Sequence, residues 1–178
     1  LNRAGCRAVC FGLPCGDEAV AADILKRKVE NRRYLALARS LQGRGLRVVT
    51  RSLLALPVPH PLRTDLQTLD VTLACRPDVA LSRLFSPLPG TDLAAYSVAE
   101  GFLPDGLERL PEGTDRLSPL RFPDSPEKAR VQRLHLLFGL TVRFRRLRPL
   151  VPLLVRLPLG AVYSLLYALW DGRATRFT

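Results

Sequence analysis

Methionine is absent from all 178 residues, and the chain opens on Leu1. Both features are expected of a piece of a longer protein. Lysine is scarce too: of 27 basic residues only Lys26, Lys28 and Lys128 are lysines, and 24 are arginines. Such a bias more often reflects an arginine-rich codon background than selection for a binding surface. Four cysteines in a chain this size are too few for a disulfide framework. No charged-then-apolar leader opens the sequence, so the expected compartment is the cytoplasm. An unbroken apolar run of membrane-spanning length is lacking as well. Residues 149–170 come nearest, but they contain Arg156 and are divided by Pro149, Pro152 and Pro158.

What is present describes a folded domain. Apolar residues make up 47% and charged residues 24% of the chain, a globular balance long enough for one hydrophobic core. The net charge of +11 favours anionic partners. The basic residues are scattered up to about residue 125 and cluster only in Arg143-Phe-Arg-Arg-Leu-Arg148. Phe144 is the one aromatic within that cluster, and no series of stacking aromatics interleaves with the arginines, which argues against a nucleic-acid partner.

The pattern along the chain alternates between strand and helix. Arg7-Ala-Val-Cys-Phe-Gly12 has the form of a buried strand, and Gly16-Asp17-Glu18 opens a helix to about Lys26 with two carboxylates complementing its dipole. A helix over 32–42 carries Tyr34, Leu35, Ala38 and Leu41 on one face and stops at Gly43 and Gly45. Strand 46–54, helix 62–75, strand 79–85 and helix 92–100 follow. Such alternation implies βαβ crossovers and a parallel sheet. Three strands are few for a parallel sheet, which needs neighbours and cover on both faces, so half of a barrel or of a wound sheet is expected, with the remainder upstream. Residues 102–125 read as a Pro/Gly-rich loop. A basic amphipathic helix over 126–144 is opened by Ser125-Pro126-Glu127. The apolar stretch 149–170 admits three readings: a span, a segment lying at a membrane interface, or short helices packed on the protein. The packed reading is preferred.

The order of these motifs resembles a known family. A strand ending "FGLPCGDE", a helix, a strand ending "LLALPVP", a helix, and then "RPDVALSRLFSPLPGTDLAAYSVAEGFL" look like the second half of a radical S-adenosylmethionine (SAM) barrel, of the type that often carries a cobalamin-binding domain. The tail "RLRPLVPLLVRLPLGAVYSLLYAL" is similar to that family's C-terminal extension, so the likeness runs from about residue 5 to 170. It implies an α/β fold, half of a (β/α)6 partial TIM-type barrel over 1–101 with three parallel strands, followed by the loop and a C-terminal helical extension over 126–178. The family's 4Fe-4S iron–sulfur cluster cleaves SAM to a radical, and its ligands lie in a Cys-x3-Cys-x2-Cys loop after the first strand. That loop is not in this chain. Cobalamin would belong to the full-length protein.

Cofactor-facing positions depart from the family more than scaffold positions do. Its Phe-Gly-x-Glu motif has Pro14 at the glutamate position, with Cys15 where serine or threonine is usual. Its Gly-Leu-Pro-Gly-Glu-Thr is here Ala55-Leu-Pro-Val-Pro-His60, and Val58 cannot readily adopt positive φ. Gly12, Gly16, Leu56 and Pro57 remain, and the resemblance makes them the candidate cofactor-binding positions; Pro89, Gly90 and Thr91 remain too. Cys6, Cys10 and Cys15 have the spacing Cys-x3-Cys-x4-Cys, longer than the cluster motif, and Cys10 lies inside a strand as an expected inert, buried thiol. No metal ligands are assigned, and no catalytic residue.

The remaining chemistry-bearing residues read blandly. His60 is expected as a loop residue at a strand end, and His135 at the surface or rim of the basic helix. Asp65 and Asp70 are expected as solvated charges. Arg51 points either into the barrel or toward a helix-facing edge. Two functions follow: part of a radical SAM enzyme acting on a small molecule, or a non-catalytic barrel remnant acting by packing. The partners expected are the missing N-terminal barrel half and, through 143–170, the periphery of a membrane.

Overall fold

The computed structural model describes residues 5–103 and 117–174. Three strands, β1 (Ala8–Gly12), β2 (Arg47–Leu54) and β3 (Val79–Leu84), form one parallel sheet in that order. In register, Cys10 pairs with Val49 and Val49 with Val79, while Gly12 pairs with Arg51 and Arg51 with Leu81. Helices α1 (Glu18–Asp23), α2 (Asn31–Gln42), α3 (Pro61–Cys75) and α4 (Asp92–Ala99) alternate with the strands. After them come α5 (Ser125–Arg143), a 3₁₀ helix (Arg145–Leu150), the single turn α6 (Val151–Leu154) and α7 (Gly160–Ala174). The expected α/β class and the three parallel strands are therefore present. Part of the expected loop, 104–116, lies outside the described residues.

Local chemistry sets the boundaries. The first helix is shorter than its sequence pattern, because Lys26 adopts a left-handed φ of 54° and Arg27 donates its N–H back to the Ala21 carbonyl at 2.9 Å. That closure ends a helix as a glycine would. Asp17 is not in the first turn but before it, accepting from the Ala19 and Val20 N–H groups. Prolines divide the 149–170 stretch as their sequence positions suggest. Pro149 falls within the 3₁₀ helix, Pro152 opens α6, and Pro158 separates α6 from α7.

The two faces of the sheet differ sharply. Successive side chains of a strand point to opposite faces. Val48 packs with Ala38 and Leu41 of α2 and Cys75 of α3, and Leu54, Ala80 and Leu84 pack with Leu69 of α3 and Leu134 and Phe138 of α5. Those residues share one face. On the other, Cys10, Gly12, Arg51 and Arg83 are exposed. Only Trp170, near the end of α7, joins Val49, Val79 and Leu81 there. A parallel sheet is ordinarily covered on both sides. Here, among the described residues, one side is covered only around Val49, Val79 and Leu81, where Trp170 packs.

Candidate functional site

In parallel α/β folds ligands gather at the carboxyl ends of the strands, so the three strand ends are the candidate site. Beyond β1 the chain runs on as if still paired: Leu13 donates to the Arg51 carbonyl at 2.8 Å, and Leu53 donates to the Pro14 carbonyl at 3.0 Å. Leu13, Pro14, Cys15 and Gly16 are all buried. Gly16 lies directly on the backbone of α3. A Cβ there would stand 2.5 Å from the Gln67 carbonyl oxygen and 2.6 Å from Thr68 Cα. The Gly16 N–H donates to Thr68 Oγ1 at 2.8 Å, and its carbonyl accepts from Asn31 Nδ2 at 2.7 Å. Glu18 accepts from the Asn31 N–H at 2.7 Å, satisfying a donor at the start of α2.

The end of β2 is closed by a carboxylate. Ala55 takes a left-handed φ of 58°, and its N–H donates to both oxygens of Asp65 at 2.9 and 3.2 Å. Asp65 is 0% exposed, which corrects the expectation of a solvated charge. Its place one turn into α3 turns it under the Ala55–His60 bend, and Glu127 of α5 lies close by. Glu127 is itself buried and accepts from the Leu62 N–H at 3.1 Å, at the start of α3. Burial raises the Asp65 pKa well above the ordinary carboxylate range, the Ala55 hydrogen bond opposes that rise, and the Glu127 charge adds to it. Leu56, Pro57 and Val58 are buried beneath the same bend, while His60 is exposed immediately before α3. Beyond β3, Gly90 has φ 79°, and Thr91 caps α4 by accepting from the Ala94 N–H at 3.3 Å.

The candidate positions thus fall into different settings. Gly12 is exposed on the open sheet face, with nothing within 4 Å of where a Cβ would be. Gly16 is a packing glycine against α3, and Leu56 and Pro57 are buried. Arg51 stands exposed on the face opposite the helices, so the helix-facing alternative is excluded. Two clefts, of about 580 and 750 Å³, lie toward the other end of the sheet. The first involves Arg47, Asp78, Arg143 and Trp170, and the second Cys75, Arg76 and Arg148.

The thiols occupy separate environments. Cys6 donates to the Ala8 carbonyl at 3.3 Å. Cys10 is exposed, a correction to its expected burial: its strand position places it on the uncovered face. Cys15 is buried in the main core, where burial pushes its pKa up to about 11, partly offset by hydrogen bonding to the Asp17 backbone. Cys75 is likewise raised to about 11 by burial. Protonated core thiols and a lone exposed one do not fit a common cluster. Among the described residues no three His, Cys, Asp or Glu side chains converge as a metal set.

His135 also departs from expectation. It is 1% exposed, with Nδ1 2.9 Å from Ser82 Oγ and its ring 5.1 Å from that of Tyr167. It joins β3, α5 and α7 inside the core because Ser82 points to the helix-covered face. A sequence signal existed for Asp65, Thr68 and Thr72: their spacing with Leu69 places polar residues on a buried helical face, yet short polar side chains carry no mark of their partners.

No known family model matches the chain, and no curated protein matches it either. Among the described residues, no helix is long and apolar enough to cross a membrane.

Proposed function

We infer that the chain is the C-terminal half of a radical SAM partial barrel of the cobalamin-binding type, reduced to a scaffold role at its strand ends. The observation that carries this reading is the sheet face that, among the described residues, is left open beyond Trp170. In a barrel the face opposite the helices looks inward and is covered by the other strands. Here that face bears Cys10, Gly12, Arg51 and Arg83 in contact with solvent, beside a β1 edge with no further strand among the described residues. An upstream half supplying further strands would cover both.

The left-handed Ala55 supports the same reading. It stands where the family motif has its first glycine, and it keeps the backbone conformation that glycine favours. The cofactor contacts do not persist with it. Pro14 offers no side-chain acceptor, its carbonyl is taken by Leu53, and the Ala55 N–H is taken by Asp65. No radical step is assigned to residues of this chain, since its thiols do not fit the cluster. SAM, the cluster and a small-molecule substrate belong to the complete protein under this proposal, as would cobalamin.

The same closed strand ends favour a second reading, a barrel remnant that acts by packing alone. The coding sequence upstream of Leu1 separates the two. An in-frame Cys-x3-Cys-x2-Cys is expected for the enzyme, and calorimetric titration of the complete protein with SAM then measures what the strand ends still bind. An in-frame stop with no such motif would refute the enzymatic reading and leave the packing one.

A further inference from the structure

The outer surface of the C-terminal helices presents a different problem from the sheet. Among the described residues twelve large apolar side chains are exposed, and nine of them fall between 144 and 169. On α7, Val162, Leu165, Leu166 and Leu169 recur at the three- and four-residue spacing of one helical stripe, the last being 62% exposed. Tyr163 and Tyr167, on an adjoining flank of the helix, pack with Leu136 and Leu137 of α5. Helix α7 is therefore apolar on both flanks and covered on one. Leu150, Leu153, Leu157 and Leu159 extend the exposed apolar surface through α6 and the turn before α7.

Charge identifies what covers it. Between Glu127 and Asp171 the chain has eight basic residues and no carboxylate. Arg133 is held by the Val155 carbonyl at 3.0 Å and Arg148 by Asp70 at 2.7 Å. Arg145, Arg146 and Arg156 remain exposed in the same segment as the leucines. A second copy would bring a carboxylate-free basic segment against its like, and like charges repel. Nucleic acid would meet mostly leucine and valine, with Phe144 the one exposed aromatic among them rather than a stacking series. An upstream barrel half would occupy the sheet face, which α7 meets through Trp170 and not through its leucine stripe. Over its 15 described residues α7 is too short to span a bilayer, yet its length suits a helix lying in the interface plane.

We propose that α6 and α7 dock the protein on an anionic lipid bilayer, with the leucine stripe in the acyl boundary and Arg145, Arg146 and Arg156 among the headgroup phosphates. This proposal does not depend on the radical SAM reading. The test is co-sedimentation of the 178-residue chain with vesicles of phosphatidylcholine alone and of phosphatidylcholine and phosphatidylglycerol in equal parts. Binding is expected to the mixed vesicles and to weaken with added salt. Each Arg→Gln change at 145, 146 or 156 is expected to weaken it about 5-fold. Leu165→Gln and Leu169→Gln are each expected to weaken it about 10-fold. Trp170, the single tryptophan, serves as the fold control, since both leucines are exposed and its emission is expected to be unchanged. Equal binding to the two vesicle types overturns the proposal, as does binding indifferent to the leucine changes or no binding by a folded chain. A dimer that Leu165→Gln dissociates, without vesicle binding, overturns it in favour of a second copy.

Discussion

Replacing Gly16 with alanine tests whether the β1–α1 loop is built as a packing contact. The added Cβ would lie 2.5 Å from the Gln67 carbonyl oxygen, 2.6 Å from Thr68 Cα and 2.7 Å from the Gln67 carbonyl carbon. All three are backbone atoms of α3, so no side chain can rotate away. Ordinary contact is about 3.5 Å, so loop and helix must separate by about 1 Å. Overpacking of this kind costs about 1–3 kcal/mol. The same movement stretches the 2.8 Å bond from Gly16 N–H to Thr68 Oγ1 beyond hydrogen-bonding range, stranding a buried donor for about 1–3 kcal/mol more. Reduced freedom of the unfolded chain returns about 0.4–1 kcal/mol. The net expectation is a loss of about 1–5 kcal/mol. In urea, with a slope of about 2 kcal/mol per molar, the midpoint should fall by about 0.5–2.5 M, read from Trp170 fluorescence. Gly12→Ala is the control. Its Cβ would meet nothing within 4 Å, and stability should stay within about 0.5 kcal/mol. Equal effects at the two glycines, or a silent Gly16→Ala, would refute the reasoning.

Asp65 gives a pH dependence of definite sign. Because its folded-state pKa is raised above the unfolded value, its contribution to stability is intact below the unfolded pKa and is lost as pH rises toward the folded one. Denaturant midpoints should therefore fall with rising pH through that window, by at most about 1.4 kcal/mol per pH unit; Asp65→Asn, whose carbonyl can still accept from Ala55, should flatten the trend and raise stability at neutral pH. A thiol reagent added to the native chain should label Cys10 first and reach Cys15 and Cys75 only on unfolding, and fast labelling of Cys15 would count against its burial. Ser82→Ala removes the 2.9 Å partner of His135 Nδ1 in the core and should cost about 1–3 kcal/mol by urea unfolding; an unchanged midpoint would mean that the contact contributes nothing to stability.

Period and punctuation made the elements legible. Every strand and every helix before residue 101 falls within a few residues of its sequence pattern, because apolar alternation and glycine stops act locally. Partners were less legible. Asp65 and Asp70 are both aspartates on the same helix, five residues apart, yet one is sealed beneath Ala55 and the other meets Arg148 at 2.7 Å near the surface. Which of the two is buried depends on where α5 brings Glu127 and where β2 ends, and neither follows from local periodicity. His135 was hidden for the same reason: its helix reads as basic, but the face toward Ser82 is defined by the sheet. Cys10 failed in the opposite direction. A strand cysteine is buried only if its face is covered, and the sequence pattern does not say which face lacks a covering layer.

The sheet face left open among the described residues and the closed strand ends bear on each other. A ligand pocket at the carboxyl end of a sheet requires backbone groups left free to meet the ligand. At β1 and β2 those groups are already engaged: Pro14 carbonyl by Leu53, Ala55 N–H by Asp65, Gly16 N–H by Thr68. The Asp65 arrangement is maintained against a desolvation penalty, and Ala55 against left-handed strain of about 1–2 kcal/mol. Both costs fall on the bend that would otherwise approach a cofactor. The sheet face opposite the helices, by contrast, keeps Arg51 exposed, which a core built only for packing has no reason to hold. If an upstream half closes over that face, Arg51 would need an acidic or phosphate partner there. The expected consequence is that Arg51→Leu weakens association with the upstream half while leaving the urea midpoint of this chain unchanged. A chain destabilised by Arg51→Leu in isolation would show that the arginine serves the fold already in hand, and the argument for an inward-facing charge would fail.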